Sequence, residues 1–141
     1  MLNRKIDSYL RDYYKKTNNP LLITGARQVG KTYSIREFGK SFKSFIEINF
    51  IENPDAVGLF KNASGSADIL MRLSTITNAP MIKGDTLIFF DEVQECPDIV
   101  TAIKFLVDDG SYRYILSGSL LGVELKDIRS VPVGYILCRN Q

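Results

Sequence analysis

The sequence predicts an α/β fold, a parallel sheet of four or five strands with helices on both faces, and three observations predict it. The apolar runs Leu21 to Thr24 and Thr86 to Phe90 have no polar face, so they read as strands buried on both sides, the habit of parallel sheets. Segments of helical period stand between the strands, which is the alternation of crossover units. At 141 residues and 45% hydrophobic content the chain has room for one domain with a sizeable core.

The elements follow in order. Ile6, Leu10, Tyr13 and Tyr14 recur at helical spacing among charged residues, so the opening is an amphipathic helix. Thr17 to Pro20 is a turn, and Leu21 to Thr24 the first strand. Ile35 and Phe38 mark a helix that Gly39 can end, and Ser44 to Phe50 alternates as a second strand. Asn53 and Pro54 supply a cap and first-turn proline for a helix to about Lys61, and Ser66 caps another through Ser74. Thr86 to Phe90 is the third strand. Pro97 opens a helix whose buried stripe is Val100, Ile103, Leu106 and Val107, ending before Gly110. Tyr112 to Ser119 is the fourth strand, and Val133 to Cys138 starts a fifth.

Several function classes are set aside by composition. A net charge of +2 and scattered lysines (Lys15, Lys16, Lys40, Lys43) read as a solvated face and make nucleic acid an unlikely partner. Cys96 and Cys138 form no paired motif, and with no histidine there is no soft-ligand metal site to complete. No run approaches a membrane span and the first sixteen residues are charged throughout, so the expectation is a cytoplasmic chain with reduced thiols and no membrane partner.

Three constellations carry chemistry. Gly25, Ala26, Arg27, Gln28, Val29, Gly30, Lys31 and Thr32 follow the spacing G-x-x-x-x-G-K-T of a phosphate-binding loop, the P-loop. Its glycines let successive amides turn toward phosphate oxygens while the following helix adds the partial positive charge of its N-terminus. Lys31 is expected to reach the β- and γ-phosphates and Thr32 to ligate Mg²⁺, with contacts to the nucleotide running from Gly25 to Tyr33. The second constellation, Asp91 and Glu92, ends an apolar strand: Asp91 is placed to hold Mg²⁺ and Glu92 to polarise an attacking water. The third is Ser117-Gly118-Ser119, where Ser117 is placed to touch the γ-phosphate or the water, with Ser119 as an alternative.

The segments "GARQVGKT", "FFDEVQECP" and "YILSGSL", in this order, resemble the AAA-like ATPases common in bacteria and archaea, in which an N-terminal P-loop domain precedes a C-terminal domain of unknown function. The resemblance covers nearly the whole chain, and the Asp-Glu-x-Gln beside the Gly-x-Arg-x-Val-Gly-Lys loop is its most particular feature. It implies a three-layer P-loop NTPase sandwich with Lys31 and Thr32 as Walker A, Asp91 and Glu92 as Walker B, and Ser117 as sensor 1. It also implies that the strand carrying Ser117 is inserted between the P-loop strand and the Walker B strand. The expected division is a packed N-terminal helix over 1–18, an AAA-like core over 19–130 and a truncated tail over 131–141, because the ending Cys-Arg-Asn-Gln reads as a fragment end.

ATP with Mg²⁺ is the expected ligand, since no Asn-Lys-x-Asp stretch of the guanine-reading kind is present. Hydrolysis is the first reading of function, and a nucleotide-binding switch without useful turnover the second. Self-association, or a C-terminal domain beyond this chain, is the further partner the resemblance implies.

Overall fold

The computed structural model describes residues 2–25, 29–118 and 134–138, with side chains described for 7–23 and 31–118. In chain order the elements are α1 (Leu2–Lys16), β1 (Leu21–Gly25), α2 (Val29–Gly39), β2 (Ser44–Asn49), a 3₁₀ turn (Pro54–Phe60), α3 (Ser66–Ser74), β3 (Thr86–Asp91), a second 3₁₀ turn (Val93–Glu95), α4 (Ile99–Asp109), β4 (Arg113–Gly118) and β5 (Gly134–Cys138). The strands form one five-stranded sheet in the order β2-β3-β4-β1-β5. Every pairing is parallel, and β4 stands between β3 and β1 as the resemblance implies.

Alternation along the strands divides the core into two layers. Leu21, Ile23, Leu87, Phe89 and Ile115 face α1 and α2, where Leu10, Tyr14 and Ile35 meet them. Leu22, Ile46, Ile48, Ile88, Phe90, Tyr114 and Leu116 face α3, α4 and the first 3₁₀ turn. That second layer is organised by aromatic rings: Phe90 stacks on Phe50 and Tyr114 and meets Phe60 edge-on, at centroid distances of 5.5–6.2 Å. The helix α1 is fastened to the sheet by its aromatic end. The Tyr14 hydroxyl donates to the Tyr114 carbonyl, while Arg113 donates to the Tyr14 carbonyl at 2.7 Å and lies over the Tyr14 ring.

Three local expectations change, and a fourth, the end of α2 at Gly39, holds. Pro54–Phe60 is a 3₁₀ turn, closed by Ala56 and Lys61 amides donating three residues back; Gly58 within so short a segment leaves an α-helix little propensity to draw on. Gly65, and not Ser66, is the residue before α3, and Asp68 reaches back to the Ser64 amide at 3.0 Å. α4 begins at Ile99, because Pro97 is used in the turn where the Ile99 amide bonds the Cys96 carbonyl. Gly39 is the last residue of α2, and what it supplies is room: a Cβ there would stand 2.8 Å from Cγ of Phe45.

Gly39→Ala is therefore expected to destabilise the protein by about 1–3 kcal/mol through overpacking against β2, and a chemical denaturation curve measures it.

Candidate functional site

The carboxyl ends of β1, β4 and β3 lie side by side, since β4 pairs with β1 through Ile23–Ser117 and with β3 through Phe90–Leu116. Open parallel sheets keep their ligands at this edge. Asp91 and Ser117 each follow one residue after that last pair, on the strand face that turns toward α2.

From β1 the chain leaves at Gly25 and enters α2 at Val29. Ala26, Arg27 and Gln28 lie outside the described residues, as do the side chains of Val29 and Gly30. In the first turn of α2, Lys31 is 5% exposed, while Thr32 is half-buried and Tyr33 is open to solvent. A lysine is seldom buried, and a cation at a helix N-terminus opposes the helix dipole. The Lys31 charge acts on Asp91, whose ionised form it favours.

Asp91 ends β3 and is itself buried. Burial pushes its carboxyl above the ordinary value, and the Glu92 amide, donating to Oδ1 at 2.8 Å, and Lys31 pull it back only in part; Glu92 and Glu47 add to the rise. The site therefore holds a desolvated carboxylate whose cationic surroundings fall short of its need. Glu92 follows in the left-handed region, φ 57° and ψ 47°, uncommon for a residue with a side chain, and the chain then winds into Val93–Glu95. Gln94 donates Nε2–H to Glu92 Oε1 at 2.8 Å.

Ser117 is fully buried, and among the described residues its Oγ has no hydrogen-bond partner, as is also true of Ser34 on α2 and, away from this edge, of Ser44 and Tyr114. Such a group costs about 1–3 kcal/mol unless something arrives to meet it. The sequence reading had no role for Gln94, although it stands in the Asp-Glu-x-Gln spacing, and none for Ser34 or for Arg36, which forks onto Glu47 of β2 at 2.8 Å. Among the described residues, then, the structure brings Lys31, Thr32, Asp91, Glu92 and Ser117 to one edge of the sheet. Ser119 lies outside them.

Two stability effects follow. The folded pKa of Asp91 is raised above 3.8, so its ionisation costs stability at neutral pH, and that cost disappears as pH falls through the folded value. Asp91→Asn is expected to raise the Tm of the nucleotide-free protein at pH 7 and to change it less near pH 4. Ser117→Ala is expected to stabilise the nucleotide-free protein by about 1 kcal/mol by removing the orphan hydroxyl.

No protein of curated function matches the chain. A family model described as an AAA domain matches residues 17–139, from the turn before β1 to just past β5. An α/β sheet of this order and a match of that extent agree, and the chain belongs to this AAA domain family, whose members are nucleotide-binding P-loop modules of the ATPase type.

Proposed function

We propose that the chain binds ATP with Mg²⁺ and hydrolyses the β–γ bond. The observation that carries the reading is the burial of Asp91 and Ser117 at adjoining strand ends and of Lys31 in the first turn of α2, an anion, a hydroxyl unpartnered among the described residues and a cation withdrawn from water. A core built only for stability keeps such groups outside or pairs them fully.

The donor set fits magnesium: the Asp91 carboxylate and Thr32 hydroxyl are hard oxygen ligands, and the raised Asp91 carboxyl is a site whose charge a dication would relieve. When bound, the ion supplies charge neutralisation at the phosphate oxygens. Lys31 would bind the terminal phosphates, its side chain already buried and its charge so worth more there than in water. Glu92 would orient the attacking water and take its proton. Ser117 would donate its hydroxyl to the γ-phosphate or that water, giving the orphan Oγ the partner it lacks. The AAA core over 19–130 and the packed helix over 1–18 remain the division we favour, with self-association or a C-terminal domain as the route by which turnover is put to use.

ATP and Mg²⁺ at 100 times the dissociation constant are expected to add about 2.7 kcal/mol, roughly 10 °C in Tm, and Lys31→Ala to lose that shift. Glu92→Gln is expected to keep the shift and drop phosphate release at least ~100-fold. A shift without phosphate release in the parent protein would leave the nucleotide-binding switch as the function.

A further inference from the structure

We infer that Gln94 is a positioning residue for Glu92, holding its carboxylate through the side-chain amide and tying it to the end of β4. The inference rests on the role proposed above for Glu92. It comes from one hydrogen bond and from the close packing of the same side chain beside the end of β4. The Gln94 amide donates to Glu92 Oε1 at 2.8 Å. The other end of the same amide lies against Gly118, where an added Cβ would stand 2.5 Å from Gln94 Oε1 and 3.1 Å from the Val93 nitrogen. Gly118 follows Ser117 directly and closes β4.

Glutamate has three rotatable bonds, each of which must be fixed if the carboxylate is to point at a reacting water. A planar amide bonded to the carboxylate at one end and closely packed beside Gly118 at the other restricts that freedom. The Gln94 side chain leaves from the 3₁₀ turn Val93–Glu95 that directly follows Glu92. Because the same side chain touches the strand end beside Ser117, a movement of that end on nucleotide binding is transmitted to the carboxylate. Gln94 thus touches no reacting atom and acts through Glu92.

The test uses the full chain, with ATP and Mg²⁺ as the probe. Gln94→Ala and Gln94→Met are both expected to lower kcat at least ~10-fold with KM unchanged within about twofold, since Met keeps the length and the packing but has no amide. Equal loss in kcat and binding, or full activity in Gln94→Met, would overturn the inference in favour of a packing role. Gly118→Ala, which displaces the amide, is expected to lower kcat similarly and to add little to Gln94→Ala in the double variant; additive losses count against the coupling. Cooperative melts of each variant separate these effects from misfolding.

A second readout needs no turnover. The side-chain amide signal of Gln94 in ¹⁵N-labelled, nucleotide-free protein is expected to move in Glu92→Ala, where the acceptor is gone. An unmoved signal overturns the inference whatever the enzyme does; a moved signal in a protein that releases no phosphate upholds the contact and places the failure in the hydrolysis reading.

Discussion

β3 is buried along all six of its residues, with Leu87 and Phe89 against α1 and α2, and Ile88 and Phe90 against α3 and α4. A strand with helices on both sides has nowhere along its length to carry a charge, because an ion in the apolar interior costs far more than a local contact returns. Charge is thereby confined to the strand ends. Asp91 stands at the carboxyl end of β3, Ser117 near that of β4 after Tyr114, Ile115 and Leu116, and the loop to Lys31 leaves from that of β1. Sheet order then decides which ends adjoin, and β4 between β3 and β1 gathers the three.

The two ends of β3 show how differently polar burial is treated. At the amino end, Thr86 is fully buried, and its hydroxyl both accepts from the Ile82 amide and donates to the Ile82 carbonyl, each at 2.8 Å. That hydroxyl is satisfied by its own loop. At the carboxyl end of the neighbouring strand, Ser117 is equally buried and has no partner among the described residues, while Asp91 is held above its ordinary ionisation range by desolvation. The carboxyl edge thus combines an unpartnered hydroxyl with a desolvated carboxylate, the pattern expected where a ligand completes the polar network.

Much of this was legible in the sequence. The apolar strands, the Gly-Lys-Thr at the start of α2 and the paired acids after Phe90 are local signals, since each depends on residues adjacent in the chain. The order of the strands came only through the resemblance, because no periodicity states which strand pairs with which. Helix starts were less secure: Pro97 falls two residues before α4 and Ser66 one residue after its cap, as capping residues compete with turn bonds that depend on the loop. Gln94 stands in the Asp-Glu-x-Gln pattern of the resemblance, but what it does was no more legible than the role of Ser34, because the bond of one and the missing bond of the other exist only once the strand ends have been assembled.

The adjacency of Asp91 and Glu92 poses a geometric problem that the backbone resolves. Consecutive residues of a strand point to opposite faces, so with Asp91 turned toward α2, an extended Glu92 would be sent toward the layer of α3 and α4, into the aromatic cluster of Phe50, Phe60 and Phe90. Ending the strand at Asp91 with a left-handed residue breaks the alternation at the first position where breaking it costs no sheet hydrogen bonds within β3. The left-handed conformation is unfavourable for a glutamate by roughly 1 kcal/mol or more. It is offset locally: the Glu92 amide bonds Asp91 Oδ1, its carbonyl accepts from the Glu95 amide at 3.1 Å, and its carboxylate accepts from Gln94. Backbone and side chain of this one residue are each held by a near neighbour in sequence, which lets two acids occupy consecutive positions at a strand end without sharing a direction.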